Sequence, residues 1–517
     1  MAEDAHYASV SALGRNESLW LATTPETAYD SLEGGLHVDT AVVGGGIAGL
    51  TAATCLAERG QTVAVLEADR IVEGVTGHTT AKITSQHGVR YDWLVSRHGV
   101  DRARQYAAAN EAAIEEIAAR SRSIDCAFER LPAYVYAETP ADVSTLRAEA
   151  RAARRLALPV SFTRQPPLPF ETAGAIRFDG QAQFHPRKYL LGLAANLVGD
   201  GNYVFENTRA TGLDVGRPCR VTTPRGQVAA ANVVVATHFP FADRGLYFSR
   251  MHPKRAYLMA VHISGPLPEG MFYSTASPPD TFRPYDDGDT ALLIVGGQGH
   301  SPGVRSGPGT TERYRRVRSF AARHFDVESV EYRWSTHDYA PVDRVPFVGQ
   351  LGPRTRNVYV ATGFDGWGMT GGTAAGMILA DLIVDGTNPW ADVFDPQRLR
   401  LAASAKRFLS KNATVGARFL RDRLAATSGD GQALDTDEAR VVPGDDGPVA
   451  RYRDEEGDLH EVSAVCTHLD CLVTWNDAER TWDCPCHGSR FTYDGEVIAG
   501  PALDALPEVD VDRLSQQ

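Results

Sequence analysis

The sequence predicts a large α/β domain with a Rossmann-like parallel β-sheet and an α+β insertion, followed by a small separate domain at the C-terminus. An apolar strand leads into a glycine-rich turn and an apolar helix around residue 44, the order of elements in nucleotide-binding α/β domains. Helical sequence at 90–175 and alternating strands at 245–330 interrupt this domain. Beyond a glycine-rich boundary near 428, four cysteines fall within 21 residues, which indicates metal chemistry more than a disulfide framework.

The composition is that of a folded globular protein. The 517 residues are 43% hydrophobic and 23% charged. Acidic residues outnumber basic ones 65 to 52, and the net charge of −13 argues against nucleic-acid binding. The first residues have neither the basic flank nor the apolar run of a signal peptide, and no stretch reaches the roughly 18 apolar residues of a membrane span. We therefore expect a cytoplasmic protein without a transmembrane segment.

The glycine-rich turn predicts a dinucleotide site. Residues 38–43 form the strand before it, Gly44 permits the tight turn, and Gly46 lets the backbone approach a pyrophosphate. Gly49 allows close packing of the helix, and Glu67 ends the second strand, where a carboxylate can accept hydrogen bonds from a ribose. The alternative is a glycine-rich turn without a ligand. The motif alone does not distinguish NAD from FAD.

Three blocks of sequence resemble the D-amino-acid oxidase superfamily, which includes glycine oxidase, sarcosine oxidase and dimethylglycine dehydrogenase. They are the fingerprint through Glu67, the turn Gly74–Lys82, and the segment from Pro341 through Gly363 to Gly372. The resemblance implies an FAD-dependent oxidoreductase domain over residues 1–395. Its FAD-binding parts are expected at about 36–90, 175–245 and 335–395, and its substrate part at about 91–174 and 246–334.

The same resemblance implies which residues contact FAD. The helix after the last block is expected to point its N-terminus at the flavin, where its dipole stabilises the anionic reduced ring. The segment Gly74–His78 resembles the part of dimethylglycine dehydrogenase in which a histidine bonds covalently to the flavin, although a hydrogen-bonding histidine is the alternative. The expected contacts are Gly44, Gly46, Ile47, Ala48, Gly49, Glu67, Ala68, Thr76, His78, Thr79, Thr80, Lys82, Gly363, Gly366, Trp367, Gly368, Met369 and Thr370.

Catalytic residues are not identified by any motif. Arg255, Tyr257 and His337 could reach a substrate, but each is equally compatible with a packed or solvated side chain. We find no arginine in a position typical of carboxylate recognition. The expected substrate is a small organic molecule, an amine or an amino-acid derivative.

The pattern Cys-x-His-x-x-Cys at 466–471 and Cys-Pro-Cys-His at 484–487 resembles the Rieske proteins over about residues 432–517. The resemblance implies a small all-β domain with a 2Fe–2S cluster, in which imidazoles replace two thiolates and raise the reduction potential. A structural zinc site is the alternative, but it gives two of the cysteines no role. The implied ligands are Cys466 and Cys484 on one iron and His468 and His487 on the other, with Cys471 and Cys486 in a disulfide.

Two positions depart from the respiratory Rieske subtype, which the extra cysteines and Ser489 otherwise resemble. Asp470 stands where that subtype usually has glycine, and Phe491 where it usually has tyrosine. A tyrosine hydroxyl there would donate to a ligand sulfur and stabilise the reduced cluster. We therefore predict a reduction potential below that of respiratory centres.

The segment 396–431 is predicted to be a helical connector. It is basic within an acidic protein and carries apolar residues at loosely helical spacing. Packing against both domains is the favoured interpretation, and peripheral contact with an anionic membrane is the alternative.

The predicted activity is that of a dehydrogenase. The chain has one dinucleotide fingerprint, which disfavours an NAD(P)H-dependent ferredoxin reductase, and the 30 residues after His487 contain no histidine for the mononuclear iron of an oxygenase. Electrons are expected to pass from substrate to flavin, to the cluster, and through an exposed edge of His468 or His487 to an external protein or quinone. The alternative is an electron-transfer or redox-sensing protein without a substrate of its own.

Overall fold

The computed structural model describes residues 13–302, 308–398, 434–445 and 447–509. Most of the connector predicted at 396–431 lies outside these residues. Two large β-sheets and their helices form the part before residue 399, and two small sheets form the part after 433. No helix in the described ranges is long and apolar enough to cross a membrane.

The first large sheet has the parallel core that the glycine-rich turn predicts. Its central strands are rich in valine and alanine, and helices cover them, so both faces are buried. In spatial order its strands are Tyr203–Phe205, Val63–Leu66, Gly34–Val43, Gly226–Val235, Cys219–Thr222 and Gly212–Asp214, and Val358–Thr362 pairs with both Gly226–Val235 and Phe347–Gln350.

Two helices on this sheet touch through glycine. A methyl group on Gly376, in the helix Gly368–Val384, would lie 2.7 Å from the backbone nitrogen of Ala52 in the helix Ile47–Ala57. One on Gly372 would lie 2.8 Å from Cγ2 of Ile47. Gly372 and Gly376 therefore allow the two helices to pack closely.

Replacing Gly376 by alanine is expected to lower the free energy of unfolding by about 1–3 kcal/mol, because the backbone of Ala52 cannot move aside. Alanine's better helix propensity acts in the opposite direction by about 0.5–1 kcal/mol. Denaturant unfolding measures the balance. Gly192→Ala is the control, since its added methyl group would meet the Ile124 side chain, which can adjust. A gain in stability for Gly376→Ala would contradict the packing argument.

The second large sheet is formed mainly by the inserted segments. The domain limits predicted at 175 and 335 fall inside two strands of this sheet, Gly174–Phe178 and Val327–Pro341. The second strand pairs with its neighbour Met251–Ile263 as far as Pro341. We name the strand Val327–Pro341 the interface strand. In spatial order the strands are Arg15–Asn16, Val327–Pro341, Met251–Ile263, Ala291–His300, Thr281–Asp286, Met271–Ser274, Ala133–Ala137, Gly174–Phe178 and Val160–Thr163.

The remaining elements are helices, a small third sheet and the two C-terminal sheets. The helices are Leu19–Ala22, Ile47–Ala57, Tyr91–His98, Val100–Arg120, Val143–Arg155, Pro186–Leu197, Tyr247–Arg250, Thr310–His324, Gly368–Val384 and Ala391–Phe394, with 3₁₀ turns at Val75–His78 and Pro140–Asp142. The small sheet joins Lys82–Ile83, Ala182–Gln183 and Glu129–Arg130. The C-terminal sheets join Glu438–Val442, Val449–Arg453 and Leu459–Ser463, and Thr474–Asn476, Thr481–Asp483, Arg490–Thr492 and Val497–Ala499.

The C-terminal domain caps a helix of the second sheet. The Asp477 carboxylate accepts hydrogen bonds from the backbone N–H groups of Thr310, at 2.9 Å, and Thr311, at 3.2 Å. These groups begin the helix Thr310–His324, whose own preceding residue, Gly309, has no side chain to cap it. The helix thus obtains its cap from the other domain, which fixes the position of the two domains.

Candidate functional site

The glycine-rich turn has the geometry of a phosphate-binding turn. Gly44 has a φ of +110°, and a Cβ there would lie 2.5 Å from the carbonyl oxygen of Ala236. A Cβ on Gly49 would lie 1.9 Å from the carbonyl oxygen of Gly44, so the helix packs on the turn only without a side chain. The helix begins at Ile47 without a side-chain cap from Gly46. No side chain at the N-cap therefore competes with an anion for the N–H groups of the first turn.

The acidic residue of the fingerprint lies beside this turn. The Glu67 carboxylate accepts hydrogen bonds from the N–H groups of Gly45, at 2.7 Å, and Asp69, at 3.2 Å. Burial raises its pKa. Thr76 approaches from the next segment, and its Oγ1 accepts a hydrogen bond from the Ile47 N–H at 3.3 Å. Glu67 of the first block and Thr76 of the second thus lie beside the start of the helix Ile47–Ala57, which includes Ala48, and Ala68 follows Glu67 in sequence.

His78 lies at the end of the 3₁₀ turn. Its Nδ1 donates to the carbonyl oxygen of Gly74 at 2.9 Å, which leaves Nε2 with the free electron pair. Its own carbonyl oxygen accepts from Nε1 of Trp334 at 3.0 Å. Burial lowers its pKa. This neutral ring suits either a hydrogen bond or a covalent link to a flavin, and the link stays a prediction.

The residues that follow turn toward the second sheet. The backbone carbonyl of Thr80 accepts from Arg283, and that of Thr79 from Nε1 of Trp20 at 2.7 Å. The Lys82 ammonium donates to the carbonyl oxygen of Phe272 at 2.6 Å. This position does not favour the predicted contact between Lys82 and a phosphate. The sequence could not show this, because Phe272 is 190 residues away.

The second glycine turn precedes a helix that also lacks a side-chain cap. Gly363 and Gly366 have φ values of +79° and +87°. Trp367 directly precedes the helix Gly368–Val384, in which Met369 is buried. Thr370 Oγ1 donates to the carbonyl oxygen of Thr84 at 3.0 Å. The Trp367 ring stacks on His87, with ring centroids 4.7 Å apart. Uncapped N–H groups at this terminus fit the expected stabilisation of a reduced flavin.

A charged cluster that the sequence did not reveal borders this turn. The Asp365 carboxylate contacts Arg90 at 2.6 Å and Lys254 at 2.7 Å. Asp365 and Arg90 are buried, whereas the Lys254 side chain is 48% exposed. Despite burial, these cations hold the pKa of Asp365 far below its ordinary value. Asp338, which accepts a hydrogen bond from the Gly366 N–H, adds a second carboxylate, so two cations face two carboxylates at this turn.

The predicted cluster ligands converge in the C-terminal domain. Cys466 and Cys484 are buried, and hydrogen bonding to the Cys484 thiol lowers the pKa of the Cys466 thiol. The rings of His468 and His487 lie 5.1 Å apart, and Nδ1 of each is buried without a hydrogen-bond partner within the described residues. Burial lowers the pKa of His487 to about 4, so it is neutral at pH 7. Two thiols and two unpaired imidazole nitrogens are the donor set of a Rieske cluster.

The surrounding loops hold these donors. Cys471 and Cys486 form a disulfide that joins the two loops. The Ser489 Oγ accepts from the Ala502 N–H at 3.0 Å and so fixes the loop that contains Gly500 and Pro501. Asp470 has a φ of +53°, a conformation that favours glycine, which explains why glycine is usual at this position in the respiratory subtype.

The three substrate-contact candidates lie against the C-terminal domain. Arg255 is 2% exposed and pairs with Asp483 at 2.9 Å and Glu479 at 3.2 Å. Tyr257 is fully buried beneath it. The His337 ring is so close to the cluster loop that a Cβ on Gly488 would lie 2.5 Å from it. These positions do not favour the interpretation that any of the three contacts a substrate.

The cluster histidines face the large domain. His487 is 6% exposed, with its ring 5.8 Å from that of Phe248, and its carbonyl oxygen accepts from the Tyr339 hydroxyl at 2.8 Å. The His468 ring lies 6.2 Å from that of Phe239 and is only partly covered. The expected exposed edge therefore does not exist at His487, because the interface buries it. Tyr339 was missed in the sequence because no motif marks it.

Replacing Phe491 by tyrosine is expected to raise the reduction potential of the cluster. Phe491 is fully buried on the strand Arg490–Thr492, opposite Trp482. A hydroxyl donated to a ligand sulfur stabilises the reduced state. Redox titration followed by electron paramagnetic resonance measures the change, with Phe491→Leu as the control for altered packing. An unchanged or lower potential for Phe491→Tyr would contradict this explanation.

Comparison with known proteins agrees with this geometry. The family model for FAD dependent oxidoreductases, DAO, matches residues 39–382. The chain belongs to the DAO family of FAD-dependent oxidoreductases. A second model, the Rieske [2Fe-2S] domain, matches residues 429–510. The resemblance to both families is confirmed, and the protein is an oxidoreductase with FAD and a Rieske 2Fe–2S cluster as cofactors.

Relatives of this FAD-dependent oxidoreductase cover most of its length. YhfW of Bacillus subtilis, named as a Rieske 2Fe-2S iron-sulfur protein, is 35% identical over 96% of this chain and 98% of its own. Gamma-glutamylputrescine oxidoreductase of Escherichia coli is 26% identical over 69% of this chain and 85% of its own. Glycine oxidase from Geobacillus kaustophilus shares the fold over 70% of this chain and 99% of its own, at 21% identity and a TM-score of 0.58. The predicted fold class is confirmed.

Proposed function

We propose that this protein is a dehydrogenase that oxidises an amine or amino-acid derivative at its flavin and transfers the electrons to its Rieske cluster. The observation that carries the proposal is the position of the interface strand. Asp338 accepts a hydrogen bond from the Gly366 N–H in the proposed flavin turn, and its neighbour Tyr339 donates to His487. Two adjacent residues thus contact both cofactor sites.

The cofactors supply complementary chemistry, because a flavin takes up two electrons as a hydride equivalent and a 2Fe–2S cluster carries one at a time. The chain's own residues position the two centres. Asp477 and Arg255 hold the C-terminal domain against the large domain, and His487 is buried in the contact. A fixed interface of this kind suits repeated transfer between two bound groups.

The charged cluster supports a substrate that carries a carboxylate. Arg90 and Lys254 both contact the Asp365 carboxylate beside the proposed flavin turn, and the Lys254 side chain is half exposed, so a bound molecule can reach this cation. A cation in such a position attracts an anionic group and orients it. The names of two relatives, glycine oxidase and gamma-glutamylputrescine oxidoreductase, agree with an amino acid or its amine derivative.

The electron acceptor is proposed to be an external one-electron protein or a quinone. Of the two cluster histidines, His468 is the partly exposed one, and the neighbouring Leu469 is 44% exposed. An acceptor can therefore approach the cluster at His468, whereas the large domain covers His487.

An anaerobic substrate screen tests the proposal. Full-length protein is mixed with amines, N-methylated amino acids and hydroxy acids, each acid paired with its amide, while flavin and cluster absorbance are followed separately. We expect flavin bleaching first and cluster reduction second, with acids reacting faster than their amides. Bleaching without cluster reduction would contradict electron transfer. No bleaching by any compound would favour a redox-sensing protein without its own substrate.

A further inference from the structure

We propose that Tyr339 is the positioning residue that couples the flavin site electronically to the cluster, through one hydrogen bond at each end of the residue. The inference rests on the proposed function and adds to it the route that electrons take. Electron transfer over several ångströms is faster through bonded atoms than across a gap, so we expect a residue that contacts both sites to raise its rate.

The flavin end of this route is a backbone contact. The carbonyl oxygen of Tyr339 accepts a hydrogen bond from the Asp365 N–H at 3.1 Å. Asp365 directly precedes Gly366, whose own N–H donates to the Asp338 carboxylate. The interface strand thus binds both residues of the proposed flavin turn in register.

The cluster end is a side-chain contact. The Tyr339 hydroxyl donates to the carbonyl oxygen of His487 at 2.8 Å and lies 3.3 Å from that of Gly500. His487 is a proposed iron ligand, and Gly500 begins the loop fixed by Ser489. One buried side chain therefore contacts both loops that enclose the cluster on this side.

The space around Tyr339 is filled by other rings. The rings of His238, Phe239 and His337 lie 4.6 Å, 5.0 Å and 5.0 Å from it. Tyr339 itself is 1% exposed. Close packing excludes water from the route and keeps the two hydrogen bonds in place.

The electron balance is simple. Oxidation of the substrate breaks a C–H and an N–H bond and forms a C=N bond: a hydride equivalent, two electrons and one proton, goes to the flavin, and the N–H proton goes to solvent. Each electron then passes singly to the oxidised cluster and on to the external acceptor, and the proton held by the flavin is released to solvent. Without an acceptor, the cluster takes one electron per protein. Tyr339 keeps its proton throughout, because its hydroxyl only donates a hydrogen bond.

Flash photoreduction of the full-length holoenzyme tests this route without a known substrate. Light and oxalate, which is oxidised to carbon dioxide, reduce the bound flavin under anaerobic conditions. The subsequent reduction of the cluster is followed by absorbance and by electron paramagnetic resonance of frozen samples. In Tyr339→Phe we expect transfer about tenfold slower, the lower end of the effect of removing a partner of a metal ligand. Flavin content, iron content and both reduction potentials should match those of the wild type.

Tyr247→Phe is the matched control. The Tyr247 hydroxyl is also buried and donates to a backbone carbonyl, that of Leu351 at 2.9 Å, but it contacts neither cofactor site. Its loss should leave the transfer rate unchanged.

If Tyr339→Phe loses iron, Asp338→Ala tests the flavin end instead. It leaves all proposed ligands and the Tyr339 side chain intact, but it removes the carboxylate that holds the Gly366 N–H and so loosens the adjacent hydrogen bond from the Asp365 N–H to the Tyr339 carbonyl; slower transfer is expected there too.

The outcomes separate the two proposals. A wild-type cluster that stays oxidised after the flavin is reduced would overturn the proposed function itself. In another outcome, the wild-type cluster is reduced and the Tyr339→Phe or Asp338→Ala protein, with both cofactors retained, transfers electrons at the same rate. That result would overturn the route alone. An equal slowing in Tyr247→Phe would also overturn it, because the effect would then be one of general packing.

Discussion

Replacing Cys484 by serine is expected to give a protein that keeps its flavin and lacks its iron–sulfur cluster. The Cys484 sulfur lies at the centre of the site, within 4.8 Å of the sulfurs of Cys471 and Cys486 and hydrogen-bonded to the Cys466 thiol. A serine hydroxyl does not replace a thiolate ligand of iron. Iron and acid-labile sulfide content, with the visible spectrum, measure the result.

The control for this substitution is Cys219→Ser. Cys219 is also fully buried, but it lies in the parallel sheet of the large domain, where its sulfur contacts the carbonyl oxygen of Gly216. That variant should retain all its iron. A full complement of iron in Cys484→Ser would show that the ligand assignment is wrong. Zinc in place of iron in the wild-type protein would show that the metal assignment is wrong.

Replacing Arg255 by methionine is expected to destabilise the contact between the two domains by about 3–5 kcal/mol. Methionine keeps much of the volume but leaves the carboxylates of Glu479 and Asp483 with Arg490 as their remaining guanidinium partner. Unfolding of the C-terminal domain, followed by tryptophan fluorescence and limited proteolysis, measures the loss. Cluster reduction after flavin reduction should slow in parallel, because the cluster no longer stays docked.

The acid limb of the unfolding curve gives a second measurement. Burial raises the pKa of Glu479, but Arg490 and Arg255 outweigh it and lower the pKa to about 2. The folded pKa is below the unfolded value of about 4.3, so the stabilisation is present above that pH and is lost as the pH falls toward 2. In Arg255→Met the folded pKa rises toward the unfolded value, so the loss that Glu479 contributes should be smaller and should be complete at a higher pH.

Arg15→Met is the matched control for Arg255→Met. Arg15 pairs with Glu331 at 2.7 Å, but the two side chains are 57% and 38% exposed. Solvent screens such a pair, so its loss should cost about 1 kcal/mol or less. Equal unfolding curves for Arg255→Met and the wild type would contradict a structural role for the buried pair.

Local motifs were enough to predict a dinucleotide site and a Rieske cluster, and the resemblance of three blocks to a known family identified the dinucleotide as FAD. The turn at Gly44 and the paired segments at 466–471 and 484–487 each place their donors within a few residues of one another. Such spacing is fixed by the local chain, whatever the rest of the protein does. For this reason the FAD and Rieske predictions agree with the family models.

Predictions that depended on distant contacts were less successful. Lys82 turned out to contact the strand at Phe272, and Arg255 the C-terminal domain 224 residues away. In one sequence, a buried arginine that pairs across domains and one that would bind a substrate look the same. The charged cluster of Arg90, Lys254 and Asp365 was missed for the same reason.

The sequence by itself predicted the nucleotide-binding turn and the Rieske pattern, because each follows from short-range spacing, and the resemblance of three separate blocks to a known family identified the nucleotide as FAD. Only the tertiary structure decided which way the cluster faces. It buries His487 against Tyr339, 148 residues earlier in the chain, and places the interface strand between the two sites. That arrangement depends on contacts between distant residues: the interface strand, the Asp477 helix cap and the buried ion pairs of Arg255. A local sequence pattern does not predict such contacts.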